Sequence, residues 1–379
     1  MPTKFPAIGG YENVVLNLAK CLAERIEVHV VCTGIDHSLE IPRGVKVFPI
    51  IKFGGQRYIG FLINCILNFR SMLRYCRKEM PDIINAHLAF PSGFIALPAK
   101  IAGIPIVCTS HGDDIQVVPE VGYGQRRKKT ISLLLRYVLA CSSAHTVVSQ
   151  SMVQDAIRSG SRPDRVRVIH NGVDLLEICT SCTNAKADRE LNLRDEDLII
   201  LFLGRLHSKK CPMDLIRAFV DVAPKMPNAR LVFAGRGEEE KALKAFAEKH
   251  QMNGRIEFLG FVSNEMKWWI LKRSDIFVLP SIVEGLAITL IEAMACGKAV
   301  VVSDIGPSRE IVSNGNNGVI VPLHNTAELS QAIVDLLMNR DKRANLGSNA
   351  RREIGERFDM RITSREYEKL YLDILGGIF

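Results

Sequence analysis

From one end to the other, the chain alternates short apolar runs with amphipathic stretches of helical spacing, and this rhythm limits its fold more than any single residue does. In the first half IEVHVVC, VKVFPI, PDIINAH, IPIVCTS and AHTVVS read as strands, with helices expected over residues 10–25, 59–78, 92–103, 129–142 and 150–160. The second half repeats the scheme with LIILFLGR, ARLVFAG, RIEFLG, DIFVLP, KAVVVS and NGVIVP as strands. Apolar strands separated by helices predict an α/β fold of parallel sheets covered on both faces. At 379 residues the chain has the length of about two domains. The polar stretch from Asp174 to Asp197 breaks the rhythm and is the predicted linker. The expectation is two Rossmann-like domains, 1–174 and 175–360, facing across a cleft, with ligands at the carboxyl ends of the strands.

Charge is informative once divided by position. Residues 1–170 hold 21 Lys and Arg against 12 Asp and Glu, whereas residues 171–379 hold 28 against 29, so the net +8 belongs to the first half. An anionic partner such as a membrane surface or a phosphorylated lipid is expected there, with solvated charge as the plainer alternative. Nucleic acid is not expected as a partner, because aromatic residues make up only 7% of the chain and no nucleic-acid motif is found. No uncharged apolar segment reaches the ~18 residues of a spanning helix. The longest, Tyr58 to Phe69, lies between Arg57 and Arg70. The opening Met1-Pro2-Thr3-Lys4-Phe5-Pro6 lacks the apolar core of a secretory signal, so a cytoplasmic location is expected and the ten cysteines read as thiols. Cys179 and Cys182 form one CxxC without the second pair that a structural zinc site wants.

Two carboxylates then need a purpose. In EGLAITLIEAMACGKAVVVSD, Glu284 and Glu292 flank seven uncharged residues, and a helix is predicted from about Leu286 to Cys296, stopped by Gly297. Glu284 sits just before that helix and Glu292 about two turns inside it, both near the carboxyl end of strand DIFVLP. The backbone N–H groups of Gly285, Leu286 and Ala287 form a predicted anion site suited to a diphosphate. A carboxylate repels phosphate, so the two acids are better suited to accepting hydrogen bonds from hydroxyls. A diphosphate flanked by hydroxyl-rich rings describes a nucleotide sugar. After strand LIILFLG, the run RLHSKKC puts Arg205 at the strand end, next to Gly204, with Lys209 and Lys210 close behind. That is equipment for a diphosphate leaving group and can replace a divalent metal. Asp195-Glu196-Asp197 precedes a strand and reads as a solvated turn, so no metal ligands are assigned. The plain alternatives are a helix N-terminal acid, a solvated glutamate and surface charge.

Six motifs in order resemble those of the retaining B-type glycosyltransferases of glycosyltransferase family 4: GGYENVVLNLAKCLAE, NAHLAFPSGFIALPAKIAGIPIVCTSHGDD, VIHNGVD, FLGRLHSKKCPMDLIRAF, SDIFVLPS and the Glu-x7-Glu stretch. The resemblance implies the GT-B fold and a metal-independent hexosyltransferase-type enzyme without a cofactor, using a UDP- or GDP-linked sugar as its donor substrate. It implies that Arg205 and Lys210 bind the diphosphate, Glu284 the sugar hydroxyls and Glu292 the ribose hydroxyls. Gly285 to Ala287 would meet the phosphates and sugar through their amides, and His111 would reach the transferred sugar. Gly9 and Gly10 match the glycine pair at the first helix, and Val262 in GFVSNEM matches the region cradling the base. The last segment, 361–379, resembles the helix that returns to the first domain. Transfer with retention follows, with a leaving-group oxygen deprotonating the acceptor and no dedicated base. A glycan or lipid-linked acceptor in cell-envelope polysaccharide synthesis is implied. For His111 alone, a satisfied core histidine is the plain reading.

Two features depart from the family pattern. Members usually begin with a hydrophobic strand before the glycine pair, whereas here the chain starts in that loop; the first domain is expected to lack a central strand, and a start upstream of Met1 is the preferred explanation. Cys211 stands where glycine often follows the lysine. In the 59–78 helix, Phe61, Cys65, Phe69, Met72 and Cys76 share one face beside Arg70, Arg74 and Arg77, and Arg126 to Lys129 add a second basic cluster. Peripheral contact with the anionic inner face of the plasma membrane is one expectation for them, packing on the sheet the other. A nucleotide-sugar epimerase of the same fold and a non-catalytic scaffold remain alternative readings. An NAD-dependent dehydrogenase is disfavoured, since GRGEEE has only the first two glycines of the dinucleotide fingerprint.

Overall fold

A computed structural model of the protein describes residue 5 and residues 9–35, 40–50, 58–180 and 193–377. The chain forms two compact units, Met1–Gly172 with Met360–Phe379, and Val173–Asp359. All strand pairs within its sheets are parallel.

The first unit contains β1 (Val28–Cys32), β2 (Val45–Pro49), β3 (Ile84–His87), β4 (Ile106–Ser110), β5 (Ala144–Val147) and β6 (Val166–Val168). Among the described residues β1 pairs only with β2, while β3 to β6 form a second, four-stranded sheet in sequence order. Although Phe5 forms a parallel bridge with Ile35 just past β1, among the described residues no strand joins β1 to β3. A cavity of about 410 Å³ lies there, lined by Val28, Val30, Ile84, Ala86, Leu18 and Tyr371 among others. The backbone of Phe5 donates to Gly34 O (2.9 Å), and its buried ring packs with Ala19, Val30, Cys32 and Val45. The helix Met360–Leu375 packs within this unit. Its Tyr371 hydroxyl accepts from Asn85 Nδ2 (2.8 Å), Arg25 bonds Glu368 (2.7 Å), and Thr363 Oγ1 donates to His170 O (3.0 Å).

The second unit has six strands, β7 (Leu198–Leu203), β8 (Ala229–Ala234), β9 (Ile256–Gly260), β10 (Ile276–Leu279), β11 (Ala299–Ser303) and β12 (Val319–Val321), in the order β12-β11-β10-β7-β8-β9. The order reverses at β7 and β10, so their carboxyl ends flank the switch point where open parallel sheets bind ligands. Both strands are apolar because both faces are covered: all of β10 and all of β7 after Leu198 are buried. The helix Pro212–Val222 shows how the cover is built. Its Leu215, Ile216, Phe219 and Val222 recur at helical spacing and are fully buried, each contributing roughly 1.5–3 kcal/mol.

Several local expectations change. Residues 92–103 are not one helix but two short ones, Phe94–Ala96 and Pro98–Ile101, after a wide turn at Ala89–Gly93. Pro98 lacks the N–H that would continue the first. The predicted linker begins as a helix, Leu175–Thr180. The Asp195–Asp197 turn is solvated only in its first two residues. Asp197 is buried, accepting from Arg194 N (3.0 Å) and Arg194 Nη2 (3.2 Å), because it closes the turn that starts β7. The proposed membrane helix runs Tyr58–Glu79. Its Met72 and Cys76 are packed in the core beside Ala86, Ile106 and Leu139, so they are unavailable to a bilayer, whereas Phe69 is exposed. The side chains of Phe61 and Cys65, and the Cys179/Cys182 pair, lie outside the described residues. No helix among the described residues is long and apolar enough to cross a membrane.

Candidate active site

The chain bends after β7 at Gly204, at φ +153°, and Gly235, at φ +140° after β8, lies against it, both in conformations that favour a residue without a side chain. A Cβ on Gly235 would collide with the Gly204 carbonyl oxygen, and one on Gly204 would sit 3.3 Å from Lys210 Cδ. The absent side chain at Gly204 is thus what lets the lysine stem cross the strand end. Lys210 closes the turn Ser208–Lys210 and directs Nζ to Glu284 Oε1 at 2.7 Å. Ser281 Oγ donates to the same oxygen at 2.7 Å. The two sequence-predicted residues, 74 positions apart, are therefore one buried ion pair at the switch point. Burial alone would raise the Glu284 carboxyl, but the charges of Lys210 and Lys209 and the bonds from Lys210 and Ser281 prevail and hold it below its ordinary range. Glu284 is ionised and acceptor-rich at neutral pH.

Behind Glu284 the helix is shorter than predicted, Ile288–Ala295, with Ala287 as its cap. Gly285, Leu286 and Ala287 are the loop leading into it. Among the described residues their N–H groups have no hydrogen-bond acceptor. Thr289 Oγ1, in the first turn, is buried without a partner. Free N–H groups at a helix start, an unpartnered hydroxyl and an adjacent ammonium are donors of the kind an anion accepts from. Arg205 stands apart from the ion pair. Its side chain is 68% exposed and lies 3.5 Å from Glu238, which also pairs with His207 at 3.2 Å.

Glu292 is buried on the same helix, and Lys267 Nζ donates to its Oε1 at 2.6 Å. Burial raises the Glu292 carboxyl, Lys267 lowers it, and the Glu177 charge adds to the net rise. The Lys267 ammonium also lies 4.0 Å from the Trp268 ring centre, and Trp268 Nε1 donates to Glu177 Oε1 at 3.1 Å. Lys267 and Trp268 were not anticipated. They lie on the helix Asn264–Arg273, which follows half-buried Val262 and is capped by Ser263 Oγ accepting from Met266 N.

The first unit holds the remaining candidates. Gly9 precedes the helix Gly10–Leu22, and Asn13 N donates to its carbonyl at 3.1 Å. Tyr11, in the first turn, is tilted against the His111 ring at 5.6 Å between centres. His111 follows β4 and stacks on His87 at the end of β3, with Nε2 3.0 Å from His87 Nδ1. Burial pulls His111 down to about 4 and His87 well below its ordinary value, so both rings are neutral at neutral pH. His111 Nδ1 is buried without a partner. The loop is held from below by Asp114, which accepts from Ser110 Oγ (2.6 Å) and Ala89 N (2.8 Å). Ser110 in turn meets His145 Nε2 at 2.8 Å. Asp114 and His87 were missed, although the motifs NAH and HGDD contain both.

Comparison with known proteins agrees with this architecture. Residues 8–176 match the family described as Glycosyltransferase Family 4, and residues 183–353 match Glycosyl transferases group 1. A glycosyltransferase of Methanocaldococcus jannaschii is 30% identical over 97% of this chain and 95% of its own. The N-acetyl-alpha-D-glucosaminyl L-malate synthase of Bacillus anthracis is 25% identical over 98% of this chain and 96% of its own. Among solved structures, Anabaena HepE in complex with UDP and glucose superposes with a TM-score of 0.80 at 22% identity, covering 97% of each chain. The chain belongs to the group 1, family 4 glycosyltransferases and has their GT-B fold.

Proposed function

We propose that this glycosyltransferase moves a sugar, with retention of configuration, from a nucleoside-diphosphate sugar to a hydroxyl of a glycan or lipid-linked acceptor in polysaccharide or glycolipid synthesis. The observation that carries the proposal is the buried Lys210–Glu284 pair beside the unpaired N–H groups of Gly285, Leu286 and Ala287. In this reading Lys210 and the helix start take the donor diphosphate, joined by Arg205, which swings from Glu238. Glu284 accepts hydrogen bonds from the sugar hydroxyls. Glu292 accepts from the ribose hydroxyls and shares its charge with Lys267, and the Val262 loop lies along the base. His111 offers its unpartnered Nδ1 to a hydroxyl of the transferred sugar. Gly10, with open space where a side chain would be, gives a backbone open to close approach, while Gly9 beside it lies against the Glu12 carboxylate.

As the glycosidic bond lengthens, the sugar gains oxocarbenium character and the departing diphosphate gains negative charge. In this reading Lys210 and the N–H groups meet that charge at the helix start, and Arg205 joins them once it has left Glu238, so the charge is stabilised electrostatically. A phosphate oxygen on the leaving group takes the acceptor proton on the face it vacates, and no side chain is needed as base. Support for a uridine nucleotide comes from the UDP complex of the Anabaena relative, and support for an N-acetylhexosamine donor from the name of the Bacillus relative.

The test is thermal shift with UDP, GDP and ADP on wild type and Arg205→Ala, followed by donor turnover. At ~100 times its dissociation constant a ligand adds about 2.7 kcal/mol of stability. A rise with one nucleotide, reduced in the variant, and nucleoside diphosphate released only with acceptor present are expected. Interconversion of donor sugars without acceptor would establish an epimerase instead. A cooperative melt unmoved by any nucleotide would leave a scaffold.

A further inference from the structure

We infer that Cys211, Asp214 and His324, outside the Lys210–Glu284 pair, form a binding site for a divalent cation of the zinc type. One ligand atom from each residue lies within 4.8 Å of the other two. The triad is assembled from two elements. Cys211 and Asp214 belong to the entry turn of the helix Pro212–Val222, where Asp214 N donates to Cys211 O at 3.0 Å, and His324 comes from the loop after β12. Sequence distance hides this, since Asp214 and His324 are 110 positions apart yet Nδ1 and Oδ2 lie at 2.7 Å.

Thiolate, imidazole and carboxylate together are a borderline-soft set suited to zinc, at about 2.3 Å from sulfur and about 2.0–2.2 Å from nitrogen and oxygen. Tetrahedral ligation at those lengths sets the donors roughly 3.3–3.8 Å apart, so the 2.7 Å His324–Asp214 contact opens while the wider separations, up to 4.8 Å, close by side-chain rotation. Three protein donors leave the fourth position to water. The Cys211 thiol donates to Ser208 O at 3.3 Å, a bond given up when the sulfur takes a cation, and the Asp214 carboxylate within 4.8 Å of it supplies negative charge. Entry is open, because the His324 side chain is 62% exposed while that of Asp214 is 14% exposed. Arg217 Nη1, 3.9 Å from Asp214 Oδ1, is 57% exposed and free to move away. On binding, the Cys211 proton leaves to solvent, the metal–sulfur bond forms, and the His324–Asp214 hydrogen bond is exchanged for shared ligation, the ring proton moving to the other nitrogen. Cys211 and His324 hold left-handed backbone, φ +46° and +57°, which unbranched side chains adopt at a cost. A bound cation ties the Ser208–Lys210 turn to the His324 loop.

Cobalt(II) titration of the chelator-treated full chain reads the site directly, because a thiolate ligand gives a sulfur-to-cobalt charge-transfer absorption. One equivalent with that absorption is expected for wild type, displaced by zinc. Cys211→Ser removes the absorption, and His324→Ala weakens cobalt binding by at least about 10-fold. Wild type without the absorption, or an absorption of equal strength and affinity in both variants, overturns the proposal by leaving the metal to other cysteines or to none. If Cys211→Ser does not fold, His324→Ala decides alone, since its side chain is at the surface.

Discussion

Replacing Lys210 with methionine removes the ammonium 2.7 Å from Glu284 Oε1 and keeps the apolar stem that crosses Gly204. The side chains are 13% and 10% exposed, so solvent screens the pair little. Two unit charges at that distance attract by about 6 kcal/mol at an effective dielectric of 20, a gross figure from which desolvation must be subtracted. Breaking such a pair from one side costs about 3–5 kcal/mol, because the remaining charge is stranded. Glu284 keeps the Ser281 bond and the Lys209 charge, which puts the expected loss near the low end, ~3 kcal/mol. The protein supplies its own probe. Its two tryptophans, Trp268 and Trp269, are adjacent, buried and both in the second unit, so urea unfolding followed by their fluorescence reports that unit. With a slope of about 2 kcal/mol per molar urea, the midpoint falls by about 1.5 M in Lys210→Met. Glu284→Gln in the same background recovers part of the loss, since an amide needs no counter-ion, giving a coupling of at least about 1 kcal/mol. The sign with pH follows from the depressed Glu284 carboxyl. The pair's contribution is complete above the unfolded value of about 4.3 and is lost as pH falls through the lower folded value, so wild type and variant converge in acid. A midpoint shift under about 0.3 M, roughly the scatter of such titrations, or strict additivity of the two substitutions, would refute the argument that this pair is a coupled unit.

Three further outcomes follow from the geometry. The His111 ring, held down to about 4 by burial, binds its proton less readily folded than unfolded, so its share of stability is complete above about 6.5 and is lost as pH falls towards 4; the full shift is worth about 3 kcal/mol, and hydrogen exchange in β3 and β4 should show His111→Gln loosening less than wild type between pH 7 and 4.5, the loosening that remains coming from buried His87 and His145. Gly235→Ala drives a Cβ into the Gly204 carbonyl and should cost more than about 3 kcal/mol by tryptophan-monitored unfolding, whereas Gly204→Ala carries the backbone strain of φ +153° but meets only the flexible Lys210 stem and should cost less, about 1–3 kcal/mol. Glu292→Gln withdraws a charged acceptor and, if the ribose assignment holds, weakens nucleotide binding by calorimetry about 10-fold, the lower end for a hydrogen bond to a charged group; unchanged affinity would confine Glu292 to pairing with Lys267.

The parallel sheets and the location of Glu284 and Glu292 were legible because both depend on short-range pattern. An apolar run, a turn and a helix in succession put the two acids at one strand end, whatever the rest of the chain does. The partners were not legible. Lys267 reaches Glu292 only because its helix crosses from β9 to β10 in a sheet whose order reverses at β7, and His87 meets His111 only because β3 and β4 pair with His87 opposite Thr109. Strand order and register are global properties, set by which apolar faces find each other, and neither leaves a periodic trace in the residues concerned. The helix Tyr58–Glu79 makes the same point from its surface. Its apolar stripe predicts that something covers Met72 and Cys76, and a bilayer or a sheet satisfies the stripe equally; packing against Ala86 and Ile106 is what decides for the sheet at those two residues. The site follows this division throughout. Sequence order places each charged group at a strand end, and sheet order determines which charge it faces.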